Sequence, residues 1–177
     1  MSQPNRQARP PRIAISSQLR DQMMIHVRDG INHKIDAITK FIDITGYEQI
    51  CGGLYTYAVE EFGKLLVLKQ GTRLPNGDFE IDYKNGFLHH PTKFELAEGV
   101  LPNDCFEISG GSYSRQSYSR DSYMVPTAAD FETRLTIFNS DFDHSLTRIQ
   151  QPPRVNIALL KNALTIFKQF LSTYPVP

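Results

Sequence analysis

The stretch "YAVEEFGKLLVLK", residues 57–69, is mostly apolar, yet Glu60, Glu61 and Lys64 interrupt it. Leu54, Ala58, Phe62, Leu65 and Leu66 recur at helical period, with Leu68 and Lys69 near the end, and predict a helix over about 47–70. Tyr57, Phe62, Leu65 and Leu66 surround the charges, so at least one charge belongs at the edge of a core. Glu60 and Lys64 are four residues apart, and Glu61 and Lys64 three. Both pairings suit a helix, with the acid N-terminal to the base. An exposed pair contributes only about 0.3–0.5 kcal/mol. A buried pair is weak evidence for stability, because apolar replacements often do no harm. Charges in such a place therefore point to geometry: the positioning of a loop, a partner helix or a substrate.

The preceding segment has the same period. Leu19, Met23, Val27, Ile31, Ile35, Ile38 and Ile42 step by threes and fours, Ser16 or Ser17 can cap the start, and Gly46 is a stop. Gly30 weakens the middle by about 1 kcal/mol relative to alanine and allows a bend. Residues 71–86 read as turns with a short extended piece at "DFEIDY". "HHPTKFELAEGV" predicts a shorter helix with Pro91 at its first position and His90 as the cap. "AADFETRLTIFNSDFD" starts as a helix and ends extended. In the last segment Val155, Leu159, Ala163, Ile166 and Phe170 form a stripe widened by Leu160, Leu164, Phe167 and Leu171. So broad an apolar face is buried in the domain or in a dimer. Four helices with few strand signals imply an all-α antiparallel bundle whose two long helices make a central hairpin.

At 177 residues the chain suits one domain with one core, over residues 13–177, preceded by a polar, proline-rich flexible tail over 1–12. Its 19 basic and 19 acidic side chains cancel, so no global field recruits a polyanion or an anionic membrane. No apolar run reaches the roughly 18 residues that span a bilayer. Cys51 and Cys105 lack metal-ligand spacing and read as free thiols in a reducing cytoplasm. The histidines lack ligand spacing too, so no metal or other cofactor is expected. Residues 109–122, "SGGSYSRQSYSRDS", carry "SYSR" twice and no apolar period, which predicts a long mobile loop. It is either a low-complexity insertion or an RNA-contacting loop, in which Arg115 and Arg120 bind phosphate and tyrosines stack on bases.

His90 and Lys93 are three apart at a helix start. An imidazole passes protons near neutrality and a lysine holds phosphate as a point charge. A histidine there is equally a cap or a surface residue.

The pair "GLYTYAVEEFGKLLVLK" and "FLHHPTKFELA" resembles the abortive-infection V (AbiV) family, a branch of the HEPN superfamily of small helical proteins of bacterial defence. The shared residues are Ala58, Glu60, Glu61, Gly63 and Lys64, then Phe87, His90 and Lys93 in the spacing F-x-x-H-x-x-K. The likeness covers residues 45–98. "RLTIFNSDFD" and "QPPRVNIALL" are similar to later family segments, although the expected tryptophan is missing. The resemblance implies an antiparallel HEPN-like bundle of four to five helices, a homodimer, and an antiphage role that suppresses RNA use or translation. Many HEPN proteins are metal-independent RNases. Their arginine and histidine, four to six residues apart, stabilise charge on the phosphate and move protons.

Arg28 and His33 have that spacing here. On a straight helix their side chains diverge by about 140°, so they converge only across a break near Gly30. Late in the chain, Arg134 is followed five residues on by Asn139. The expected site therefore draws on the second and third helices. His90 is the general acid or base, Lys93, Lys64 or Arg134 holds phosphate, and Glu61 orients Lys64 or pairs with His90. The alternative is a polar lock of Glu61, Lys64, His90 and Lys93 in a non-catalytic protein. Such a protein binds a phage protein, the translation machinery or an antitoxin-like partner.

Overall fold

The computed structural model describes residues 11–101, strand segments at 106–108, 125–127, 141–142 and 149–150, and residues 154–174. The predicted loop at 109–122, Arg134 and Cys105 lie outside the described residues, as does the tail up to residue 10.

The described chain is mostly helical, but it is not all-α. Helix α1 spans Ser17–Phe41, α2 Glu48–Lys69, α3 His90–Glu98 and α4 Ile157–Thr173. A π-helical turn covers Tyr83–Phe87. Strands β1 (Arg12–Ile15), β2 (Thr72–Arg73) and β3 (Phe79–Asp82) form an antiparallel sheet in the order β1-β3-β2. Ile13 faces Ile81 and Ile15 faces Phe79 across the β1–β3 ladder. The sequence "RIAI" is too short to announce a strand by alternation, and its partner lies almost 70 residues away in the chain. Of the two other small antiparallel sheets among the described residues, one joins β4 (Phe106–Ile108) to β5 (Val125–Thr127) and to β8 (Arg154–Val155). The second joins β6 (Asp141–Phe142) to β7 (Ile149–Gln150).

Helix α2 is the axis of the core. Fourteen of its 22 residues are buried, too many for one face, so neighbours cover it on several sides. On α1, Met24, Val27, Ile31, Ile35, Ile38 and then Ile42 turn inward, while Leu19 is exposed. Ser16 caps α1, its hydroxyl accepting from Leu19 N at 3.1 Å, as the sequence predicts. Helix α4 lays Phe167 edge-on to Tyr55 and Phe62, with ring centroids 6.2 and 5.4 Å apart. Each such aromatic pair adds about 0.5–1.5 kcal/mol beyond area burial. Arg20 clasps the far end of α2. Its Nε donates to Leu68 O at 3.1 Å, and its guanidinium lies 3.9 Å over the Phe79 ring. The β2–β3 hairpin turns at Gly77, whose φ of 89° suits glycine.

Two glycines in the long helices have opposite surroundings. A Cβ at Gly63 would stand 2.1 Å from Lys93 O and 2.7 Å from Lys93 Cα, so α2 and α3 touch backbone to backbone there. A Cβ at Gly30 would meet only Lys34 Nζ, at an ordinary 3.7 Å. Gly63→Ala is therefore expected to destabilise by about 3 kcal/mol or more, because backbone has to move. Gly30→Ala is expected to stabilise by about 0.5–1 kcal/mol. Urea unfolding of the two variants reads both signs.

Cys51 is buried, and desolvation, aided by the Glu48 charge, pushes its thiol above the usual range. It stays protonated and shielded at neutral and mildly alkaline pH. In a Cys105→Ser background, alkylation of Cys51 at pH 8 is expected to proceed no faster than the protein opens. Rapid labelling of the folded chain would contradict that burial.

Candidate functional site

The two segments that carry the family resemblance meet in space. Helix α3 begins one residue earlier than predicted. His89, not His90, is the cap: its Nδ1 accepts from Thr92 N at 3.4 Å and lies 2.9 Å from Thr92 Oγ1. Pro91 then occupies the second helical position, where its missing donor is still unneeded. This shift frees His90 to turn toward α2.

His90 and Lys93 both reach one carboxylate, that of Glu60. His90 Nδ1 lies 2.6 Å and Lys93 Nζ 2.8 Å from Glu60 Oε1. The Glu60 side chain is 6% exposed and that of Lys93 2%, whereas the His90 ring is 45% exposed. Lys93 Nζ also stands 3.4 Å from His90 Nδ1. The two contacts to Nδ1 make opposite demands on its proton, and the much shorter one decides. A carboxylate only accepts, so Nδ1 carries the hydrogen and donates it to Glu60. A neutral ring then has its lone pair on Nε2, the arrangement of a histidine oriented by an acid.

Glu61 does not join this group. It accepts from Lys64 Nζ at 2.7 Å, and both side chains are 24% exposed. Of the two roles expected of Glu61, it takes the orientation of Lys64 and not the pairing with His90. Helical geometry explains the split. Taking Gly63 as zero, a rotation of 100° per residue puts Glu60 at about 60°, Lys64 at about 100° and Glu61 at about 160° around α2. Helix α3 docks at Gly63, so Glu60 faces it and Glu61 turns away toward α1. There, Glu61 and Lys64 line an open hollow of about 450 Å³ with Gln22, Met23 and His26 of α1 and with Phe87.

Glu60 as the partner of His90 was missed from the sequence, although the residue pattern contains it. The usable sign was Gly63 three residues later on the same side, a position that admits another backbone.

Arg28 and His33 are not brought together. Helix α1 runs unbroken through Gly30. Arg28 donates from Nη2 to Leu171 O at 2.9 Å and ties α1 to α4, while His33 is exposed. Arg115, Arg120 and Arg134 fall outside the described residues. Among the described residues, no group of three His, Cys, Asp or Glu side chains is placed to hold a metal ion, and no helix is long and apolar enough to cross a membrane.

No protein-family model matches this sequence, and no curated protein or solved structure is significantly similar to it.

Burial makes Glu60 and Lys93 interdependent. Glu60→Gln leaves the Lys93 ammonium without its carboxylate and is expected to cost about 3–5 kcal/mol. Converting both partners, Glu60→Leu with Lys93→Met, is expected to restore most of that loss. Denaturation midpoints of the single and double variants test the coupling, and simple additivity would refute it.

Proposed function

We propose that this chain is an antiphage abortive-infection protein of the AbiV type with an HEPN-like antiparallel bundle, acting in the cytoplasm as a homodimer to suppress RNA use or translation. We further propose that it does so as a metal-independent endoribonuclease centred on His90. One observation carries the reading: the two motif segments, about 30 residues apart, converge on Glu60, with the half-exposed His90 ring held by a buried acid.

In the proposed reaction, His90 Nε2 accepts the proton of a ribose 2′-hydroxyl. The 2′ oxygen attacks the adjacent phosphorus, and the 5′ oxygen leaves with a proton returned by the imidazolium or by water. The products are a 2′,3′-cyclic phosphate and a 5′-hydroxyl. Glu60 fixes the tautomer and stabilises the imidazolium while it exists. Lys64, about one turn along α2 from Glu60, exchanges Glu61 for the phosphate. Lys93 is too buried and too committed to Glu60 to hold phosphate, and its role is to position that acid.

The same burial also favours a second reading, in which Glu60, His90 and Lys93 are a register lock between α2 and α3. The protein then works by binding a phage protein, the translation machinery or an antitoxin-like partner.

Purified protein incubated with total RNA and a chelator separates the two. Under the nuclease reading, RNA is cut to cyclic-phosphate ends, and His90→Ala lowers cleavage by about 100-fold or more. The loss of its hydrogen bond to Glu60 costs only about 1–3 kcal/mol of stability. Cleavage that survives His90→Ala would remove this assignment. Intact RNA together with arrested translation would favour the lock.

A further inference from the structure

We propose that the hollow between α1, α2 and the π-helical turn is a nucleobase subsite for single-stranded RNA adjoining His90, an inference that rests on the RNA reading above. The hollow, about 450 Å³, lies within the size range of small-ligand sites. Its lining combines two elements that base recognition uses, an aromatic platform and side chains that can read a base edge.

The platform is Phe87. Its ring stacks on Tyr83, with centroids 6.1 Å apart and planes 14° apart. The π-helical turn that presents it is tied to the segment before β1, where Tyr83 N donates to Pro11 O at 3.0 Å, and is closed on itself by Leu88 N donating to Tyr83 O at 2.8 Å. Gly86 keeps the turn close to α2, since a Cβ there would stand 3.2 Å from Val67. Phe87 is therefore held in place before any ligand arrives, which lowers the entropy cost of stacking.

The reading groups are Gln22, which offers both a donor and an acceptor, Glu61, which accepts, and His26, which does either. A base has to leave its stack to reach them, which selects single strands. Phe87 precedes His90 by three residues, at most about 11 Å of chain. Lys64 both lines the hollow and follows Glu60 by about one turn. A base stacked on Phe87 thus directs its own phosphate toward Lys64 and the His90 ring.

The test uses the full chain with isotope-labelled methionine methyls and four 2′-O-methyl trinucleotides, of A, C, G and U, which lack the attacking hydroxyl. The Met23 methyl, assigned with Met23→Leu, is expected to shift saturably with at least one of them. Phe87→Leu is expected to weaken that binding by about tenfold. Gln22→Ala and His26→Ala, both on the exposed side of α1, are expected to alter the ranking of the four bases at least ~5-fold. No Met23 shift at millimolar trinucleotide overturns the proposal. So does unchanged binding of all four by both Phe87→Leu and Gln22→Ala. Because the probes cannot be cut, a chain that fails to cleave RNA still answers. Cleavage without Met23 binding would sink the subsite and leave the nuclease reading standing.

Discussion

The backbone contact between α2 and α3 at Gly63 and Lys93 is the constraint from which the site follows. Only a residue without a side chain permits an approach this close. Once the helices touch there, Glu60, three residues before Gly63, faces α3. The His90 and Lys93 side chains, one turn apart, then reach the same carboxylate oxygen. Neither helix could offer this cluster alone. Glu60 would be an isolated acid on an apolar helix, and Lys93 a cation with no partner.

Burying that ion pair is costly, and the attraction between its charges offsets the cost only when the geometry is good. The geometry is good here, with a 2.8 Å contact on the acid and a second donor from His90. A slip of α3 by one residue would rotate Lys93 by about 100° away from Glu60 and force the Gly63 gap onto a different backbone position. The polar cluster and the glycine thus define the same register by independent means, one electrostatic and one steric. The apolar contacts of α2 with α1 and α4 tolerate small slips better, because dispersion and burial are less directional.

Much of the helical frame was legible in the sequence because period 3.6 is a strong signature over long segments. The bounds predicted for α2 lie within a residue of those observed, and α1 starts at the predicted cap but ends at Phe41, about a turn before the predicted stop at Gly46. The inward stripe of α1 was read correctly from Val27 onward, but Leu19 is exposed and Met24, not Met23, enters the core. What was not legible depends on contacts distant in the chain. Strand β1 exists because β3 pairs with it. The choice between Glu60 and Glu61 was invisible to spacing alone, since both make plausible partners for Lys64. It is decided by which side of α2 receives α3. The cap at α3 was misassigned by one residue because Pro91 is tolerated at either of the first two helical positions, and that single residue separates a histidine that ends a helix from one that faces an acid.

The charge balance of the site bears on how any RNA would be chosen. Glu60 and Lys93 cancel, and so do Glu61 and Lys64, so with a neutral His90 the cluster has no net charge, in a chain whose 19 basic and 19 acidic residues also cancel. Such a site has little long-range pull on a polyanion and lacks the steep salt-dependent affinity of a basic groove. Discrimination has to come from short-range contacts, where an aromatic face and a few hydrogen-bonding groups count for more than field strength. Under the proposed RNA reading, Phe87, Gln22 and His26 sit beside the charged pair that would have to open for a phosphate, so base recognition and release of Lys64 from Glu61 would become one event. A ligand lacking either part would then leave that pair closed, and a neutral, half-buried site would gain from this coupling a selectivity that its charges alone do not supply.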